Sequence, residues 1–255
     1  MSAPAWRNAL SLFTVFPAGT GGSLEPADAA RAVLWMPAVG LLLGALGGGV
    51  IVGVGGDSGP RRLLGAALAV ALVALLTGGL HLDGLADTAD GLGSRRPAAV
   101  ALDIMRKSDI GPMGVAALVL TLLIQVTALA SVPSVWAAGL AFALAQVTAR
   151  VAVVLATGSP AARPGGFGAL VAGQTTARGR VLSVALLACA VVAAGLSAGG
   201  AVLAIRGLIA AAIGLLAGSI MRIVAVRRLG GTTGDVFGAI LELTATTILL
   251  AWALE

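Results

Sequence analysis

Seven apolar runs of bilayer-spanning length dominate the chain, at about 33–55, 63–80, 113–131, 134–157, 181–199, 203–221 and 236–254. Each is near the ~20 residues needed to cross a hydrocarbon core. A span must satisfy its own backbone hydrogen bonds, which a helix does. Ala, Leu and Val dominate, and no alternating ten-residue pattern suggests a barrel. The expected fold is all-α, a polytopic integral membrane helical bundle of about seven transmembrane helices. Only 11% of the 255 residues are charged, less than half the share usual in soluble domains. Residues 1–255 therefore read as one membrane-embedded domain with the lipid bilayer as its surroundings.

The basic residues give the bundle an orientation. With seven spans, one side receives the N-terminal segment and the loops after the second, fourth and sixth spans. These carry Arg7, Arg31, Arg95, Arg96, Arg106, Lys107, Arg163, Arg178, Arg180, Arg222, Arg227 and Arg228, and Arg150 lies toward them. The other side receives Arg61, Arg62 and Arg206. This positive-inside bias predicts a cytoplasmic N-terminus in a multi-pass protein of the cytoplasmic (inner) membrane. Nine of the eleven acids lie on or near the same side, with only Asp57 and Glu255 elsewhere. Acids contribute little to orientation, so their gathering points to a polar working surface. The net charge of +5 sits in short loops, and no basic helix interleaved with aromatics suggests nucleic-acid binding.

Other features read as structural. Cys189, the single cysteine, lies in an apolar run and has no partner for an internal disulfide. Arg7 followed by an apolar run to Ala18 loosely matches a signal peptide. No small-x-small cleavage site follows before the polar stretch Ser23 to Asp28, so the segment reads as retained and interfacial. Gly40, Gly44 and Gly48 recur every four residues and predict close helix packing. The loop 158–180, with Arg163-Pro-Gly-Gly-Phe167, reads as a connector or a lid, the connector being preferred.

The segment His81-Leu-Asp-Gly-Leu-Ala-Asp-Thr-Ala-Asp90 carries the chemistry. Asp83, Asp87 and Asp90 stand at i, i+4 and i+7, so on a helix they fall within about 60° of one another. At ~6 Å and an effective dielectric near 20, each neighbouring pair costs about 3 kcal/mol. Protonation or a cation must offset this. Carboxylate oxygens are hard ligands suited to Mg²⁺, Mn²⁺ or Ca²⁺. Gly84 and Gly91 leave room for a ligand or a neighbouring helix. His81 points away from the aspartate stripe, toward Thr88, and reads as a substrate contact or structural hydrogen bond rather than a metal ligand. Asp235 precedes Val236 where a helix begins and reads as its cap, with a substrate or metal role besides. Glu242, inside the last span, is expensive there and so a functional candidate. It shares a face with Asp235 and would complete the aspartate cluster.

Asp87-Thr-Ala-Asp90-Gly91-Leu-Gly-Ser94-Arg95 resembles the opening half of the CDP-alcohol phosphotransferase motif. The second half is missing, and Asp103 and Asp109 are wrongly spaced for it. The whole chain resembles the cobalamin synthases, the adenosylcobinamide-GDP ribazoletransferases. The blocks that carry this resemblance are Phe13-Thr14 with Pro17, Pro37-x-x-Gly40 with Gly44, and His81 to Gly91. Ile104-Met-Arg-x-Ser108-x-Ile-Gly111, Leu229-Gly-Gly-Thr-x-Gly-Asp235 and Gly238-Ala-x-x-Glu242 follow in order. One departure is Lys107, where the family carries an acid.

The resemblance implies transfer of α-ribazole, or its 5′-phosphate, onto adenosylcobinamide-GDP with loss of GMP and with Mg²⁺ as cofactor. Asp83, Asp87 and Asp90 would hold the metal, and one of them or Glu242 would take the hydroxyl proton. Arg95 and Arg106 would grip phosphate. The Thr232-Thr233-Gly-Asp235 turn would present backbone N–H groups to it, and Ser108 would also contact substrate. A membrane transporter is the alternative from another class, since intramembrane acids mark transporters too.

Overall fold

The computed structural model describes residues 3–18, 25–56 and 58–254. Asp57, Glu255 and the start of the Ser23–Asp28 stretch lie outside the described residues. The described residues are overwhelmingly helical, and their only strand-like pairing is one isolated bridge, between Ala161 and Thr232.

Six helices are long and apolar enough to cross a membrane: α3 (Met36–Val54), α4 (Gly59–Leu76), α7 (Pro112–Ser131), α8 (Val135–Ala156), α10 (Ala177–Leu229) and α11 (Gly234–Ala253). At 1.5 Å per residue, a straight α10 of 53 residues would run about 80 Å, far more than one bilayer. It breaks instead at Gly200, where φ is 78°, a conformation open to glycine. The Gly195 Cα faces Ala204 with no room for a side chain between them. The arms 177–199 and 201–229 therefore double back as a hairpin, and the spans number seven. The second arm outruns the apolar stretch 203–221 and carries Arg222, Arg227 and Arg228 beyond it.

Packing follows the glycines. The α3 stripe meets α8: a Cβ on Gly44 would lie 2.8 Å from Ala143 Cα, and one on Gly48 would lie 3.0 Å from the Gly139 carbonyl oxygen. Backbones this close gain dispersion contacts that bulkier residues would forbid. Prolines start α3, α4 and α7 in their first turn, where the missing N–H costs nothing.

Five shorter helices sit at a single end of the bundle. Helix α1 (Ala5–Phe13), at nine residues, is too short to span. It packs on α2 (Pro26–Val33) and α3, and Val15 N–H donates to the Leu76 carbonyl at the end of α4 (2.8 Å). Helix α5 (Leu80–Gly93), helix α6 (Ala98–Ile104) and helix α9 (Gly166–Val171) complete this end. Arg150, read above as lying toward the side of the loop bases, is fully buried on α8. Its Nη1 donates to the Gln146 backbone oxygen (2.9 Å) and to Gln146 Oε1 (2.7 Å). It is a core residue and plays no part in a basic loop.

Candidate active site at the joined helix ends

Gly78 and Gly79, at φ 60° and 72°, turn the chain out of α4 and into α5. The acidic segment is a helix, so its three aspartates do share one side. Helix α5 wedges between α7 and α11. A Cβ on Gly84 would lie 2.7 Å from the Asp235 carbonyl oxygen, and one on Gly238 would lie 2.8 Å from that of His81. Glycine on both helices thus permits backbone contact, and this crossing sets Asp235 beside the α5 aspartates.

Asp87 records the result. Its pKa is pushed up to about 6 by burial, then by the charges of Asp83, Asp235 and Asp90, with Arg163 opposing. Asp83 is exposed, Asp87 half-buried, and no hydrogen bond or ion pair holds either carboxylate among the described residues. Asp235 accepts from Thr233 Oγ1 (3.1 Å) and pairs with Arg163 Nη2 (3.4 Å). Asp235 is not the cap of α11. Thr233 is, its Oγ1 accepting from Val236 N–H at 3.2 Å. Asp235 stands in the first turn, where the helix dipole favours a carboxylate.

The remaining candidates separate. Asp90 turns to the start of α7, where Oδ2 accepts from Gly111 N–H (2.7 Å) and Oδ1 from Gly114 N–H (2.9 Å). Glu242 does not join the cluster. It lines a second, small cavity of about 20 Å³ with Gln125 and Gln146, and Gln125 Nε2 donates to it at 2.9 Å. Its i, i+7 relation to Asp235 places it some 10 Å further along the helix, which is enough to reach a different compartment. His81 is buried with an unpartnered Nε2. Burial, and then Arg150, lower its pKa to about 3, so the ring is neutral. Arg95, Arg106 and Ser108 are exposed on the segments flanking α6, outside the cavity that Asp83 and Asp235 line.

That cavity, of about 430 Å³, is also lined by His81, Arg163, Phe167, Thr232 and Thr233. Six of its nineteen lining residues come from loop 158–180, read from the sequence chiefly as a connector. Arg163 Nη1 donates to the Leu102 oxygen (3.2 Å), and Ala162 N–H donates to the Thr232 oxygen (3.0 Å). Thr232 is buried where it lines the cavity, and its Oγ1 donates to the Pro160 oxygen (3.4 Å). The sequence signal for this wall was the lone arginine of Arg163-Pro-Gly-Gly-Phe167.

The donor set suits a hard divalent cation. Four carboxylates, those of Asp83, Asp87, Asp90 and Asp235, stand against the single guanidinium of Arg163. No group of three or more His, Cys, Asp or Glu among the described residues converges on one point. Mg²⁺ commonly takes only one or two carboxylates and fills its sphere with water and substrate phosphates, so the residues fit such an ion.

Fold and site together define a multi-pass helical membrane protein with an acidic cavity at one end of its bundle. The profile of the family described as cobalamin-5-phosphate synthase matches residues 5–253, and the chain belongs to that family. Relatives named adenosylcobinamide-GDP ribazoletransferase agree. That of Frankia casuarinae is 40% identical, over 97% of this chain and 94% of its own length. That of Bradyrhizobium diazoefficiens is 39% identical, over 97% and 92%. That of Pseudomonas fluorescens is 39% identical, over 98% and 99%. No solved structure matches the chain.

Proposed function

We propose that the chain is an adenosylcobinamide-GDP ribazoletransferase: it joins adenosylcobinamide-GDP to α-ribazole, or to its 5′-phosphate, and releases GMP. A ribazole hydroxyl attacks the corrinoid-side phosphorus of the pyrophosphate, its proton is taken up, and the bond to GMP breaks. The observation that carries this reading is the juxtaposition of Asp83 and Asp235 with Arg163 around one cavity, with Asp87 in the field of all three, in a chain similar along nearly its whole length to enzymes of that name.

Asp83 and Asp87 would hold Mg²⁺, with the lone pairs of Asp90 not used by α7 as a further donor. When bound, the ion offsets negative charge on the pyrophosphate oxygens. Asp235, fixed by Thr233 and Arg163, is assigned to accept the hydroxyl proton, since Glu242 lies in another cavity. Arg163 adds positive charge beside the phosphates. Arg95 and Arg106, exposed near the C-terminal end of α5, would grip the donor from outside. The charge asymmetry of the loops supports a site at the cytoplasmic face of the inner membrane.

A transporter is less well supported, because the aspartates gather at the helix ends and the matched relatives carry a transferase name. CDP-alcohol phosphotransfer lacks its second half-motif. Purified protein in detergent, given adenosylcobinamide-GDP, α-ribazole and Mg²⁺, should yield adenosylcobalamin by mass spectrometry. No product with any divalent metal would sink the proposal.

A further inference from the structure

The 430 Å³ cavity has two unlike sides. Asp83, Asp235 and Arg163 make one. The other is apolar, built from Phe13 at the end of α1, Phe167 on α9, Phe237 on α11 and Met36 on α3. Three of the five phenylalanines in the chain meet here. Phe167 stands edge-to-face with Phe13 (centroids 5.6 Å, 83°) and with Phe237 (6.5 Å, 86°). Phe13 and Phe237 are buried, whereas Phe167 is only partly so. Its place is fixed from both sides. Gly165 and Gly166, at φ 78° and 73°, turn the chain into α9, and a Cβ on Gly168 would lie 2.7 Å from Thr233 Cα.

We propose that this phenylalanine wall is the subsite for the base of the nucleoside acceptor, and that the corrinoid donor stays outside the cavity. The inference rests on the ribazoletransferase reading and deepens it. Size argues first. Ligand pockets run from ~300 to 1,000 Å³, so this cavity admits a nucleoside but no corrin macrocycle. Chemistry argues next. Ribazole is a riboside of dimethylbenzimidazole, a flat bicycle with an almost wholly apolar edge. The wall side chains offer no donor and, the Met36 sulfur aside, no acceptor. The edge of guanine would lose its hydrogen bonds to water there without replacement, so the GMP half of the donor is the poorer occupant. With the base against the rings, the ribose lies toward Asp83 and Asp235, where its hydroxyl must react.

The test is binding of α-ribazole alone to the detergent-purified protein, followed by calorimetry, with guanosine as the competing base. α-Ribazole should bind one per chain, and guanosine should fail to displace it. Stacking on an aromatic ring is worth about tenfold in affinity, so Phe167→Ala should weaken binding by about that factor and raise KM for α-ribazole alike. KM for adenosylcobinamide-GDP should stay unchanged, and Phe167→Tyr should restore both values. Should Phe167→Ala fold poorly, Phe13→Leu and Phe167→Leu keep apolar bulk while removing a ring, and they should weaken α-ribazole in the same sense. Unchanged α-ribazole affinity in all folded ring variants, or equal competition by guanosine, overturns the subsite even if the enzyme makes cobalamin. Ring-dependent α-ribazole binding without any turnover upholds the subsite and removes the reaction instead.

Discussion

Gly84 on α5 lies against the backbone of Asp235 at the start of α11, with 2.7 Å between the place of a Cβ and the Asp235 carbonyl oxygen. This contact joins two segments 151 positions apart in the chain and makes one acidic site of them. Gly84→Ala should push the helices apart. Overpacking of this kind costs about 1–3 kcal/mol, and a shift near 1 Å costs on the order of a hundredfold in rate. Turnover should fall far more than the melting temperature does. Wild-type turnover in Gly84→Ala would show that the crossing does not set the site.

Asp87 makes stability depend on pH. Its pKa is about 6 in the fold against an ordinary 3.8, so the folded state binds the proton more tightly than the unfolded one. The stabilisation by the protonated form is complete below about pH 4 and is lost as pH rises through about 6. Asp87→Asn, neutral throughout, should therefore melt above the wild type at pH 7.5 without divalent metal. The gap should close as pH falls to 4, and it should narrow when Mg²⁺ is added. A gap independent of pH would contradict the crowding of carboxylates at this site.

Asp90 serves α7 as well as the cluster. Removing a side-chain cap from a helix start costs about 0.5–2 kcal/mol. Asp90→Ala should lower stability by that order in a chemical melt. Asp90→Asn, which keeps an acceptor oxygen, should hold the fold better while losing turnover. Equal stability losses in the two variants would argue against the bonds to Gly111 and Gly114.

Glu242 is separate from the cation site. Glu242→Gln keeps an oxygen to accept from Gln125 and should cost no more than about 0.5–1.5 kcal/mol of stability. The Mg²⁺ concentration for half-maximal activity should not move. A severalfold shift in that midpoint would place Glu242 back with the aspartates.

The helices were legible because lipid leaves few options for a backbone: the apolar runs mark the spans, and Gly200 divides what would otherwise be one long helix. The aspartate stripe was legible because its partners lie on the same short helix. Arg163 was not, since its pairing with Asp235 spans 72 positions and depends on how a glycine-rich loop folds back. The roles of Asp235 and Thr233 at the cap were confused for a related reason: helix starts read from hydropathy alone are good only to a residue or two. Periodicity placed Glu242 and Asp235 on one face correctly. It could not show that Gln125 and Gln146 close a second compartment about two turns deeper, nor that Arg150 is buried beside them.

The most direct measurement compares GMP released with cobalamin formed, in detergent-purified protein supplied with adenosylcobinamide-GDP. With α-ribazole and Mg²⁺ present, the two products should appear in equal amounts. Both should vanish when either is withheld. GMP release that continues at the same rate without α-ribazole, or cobalamin formation that survives complete removal of divalent metal, would contradict the account.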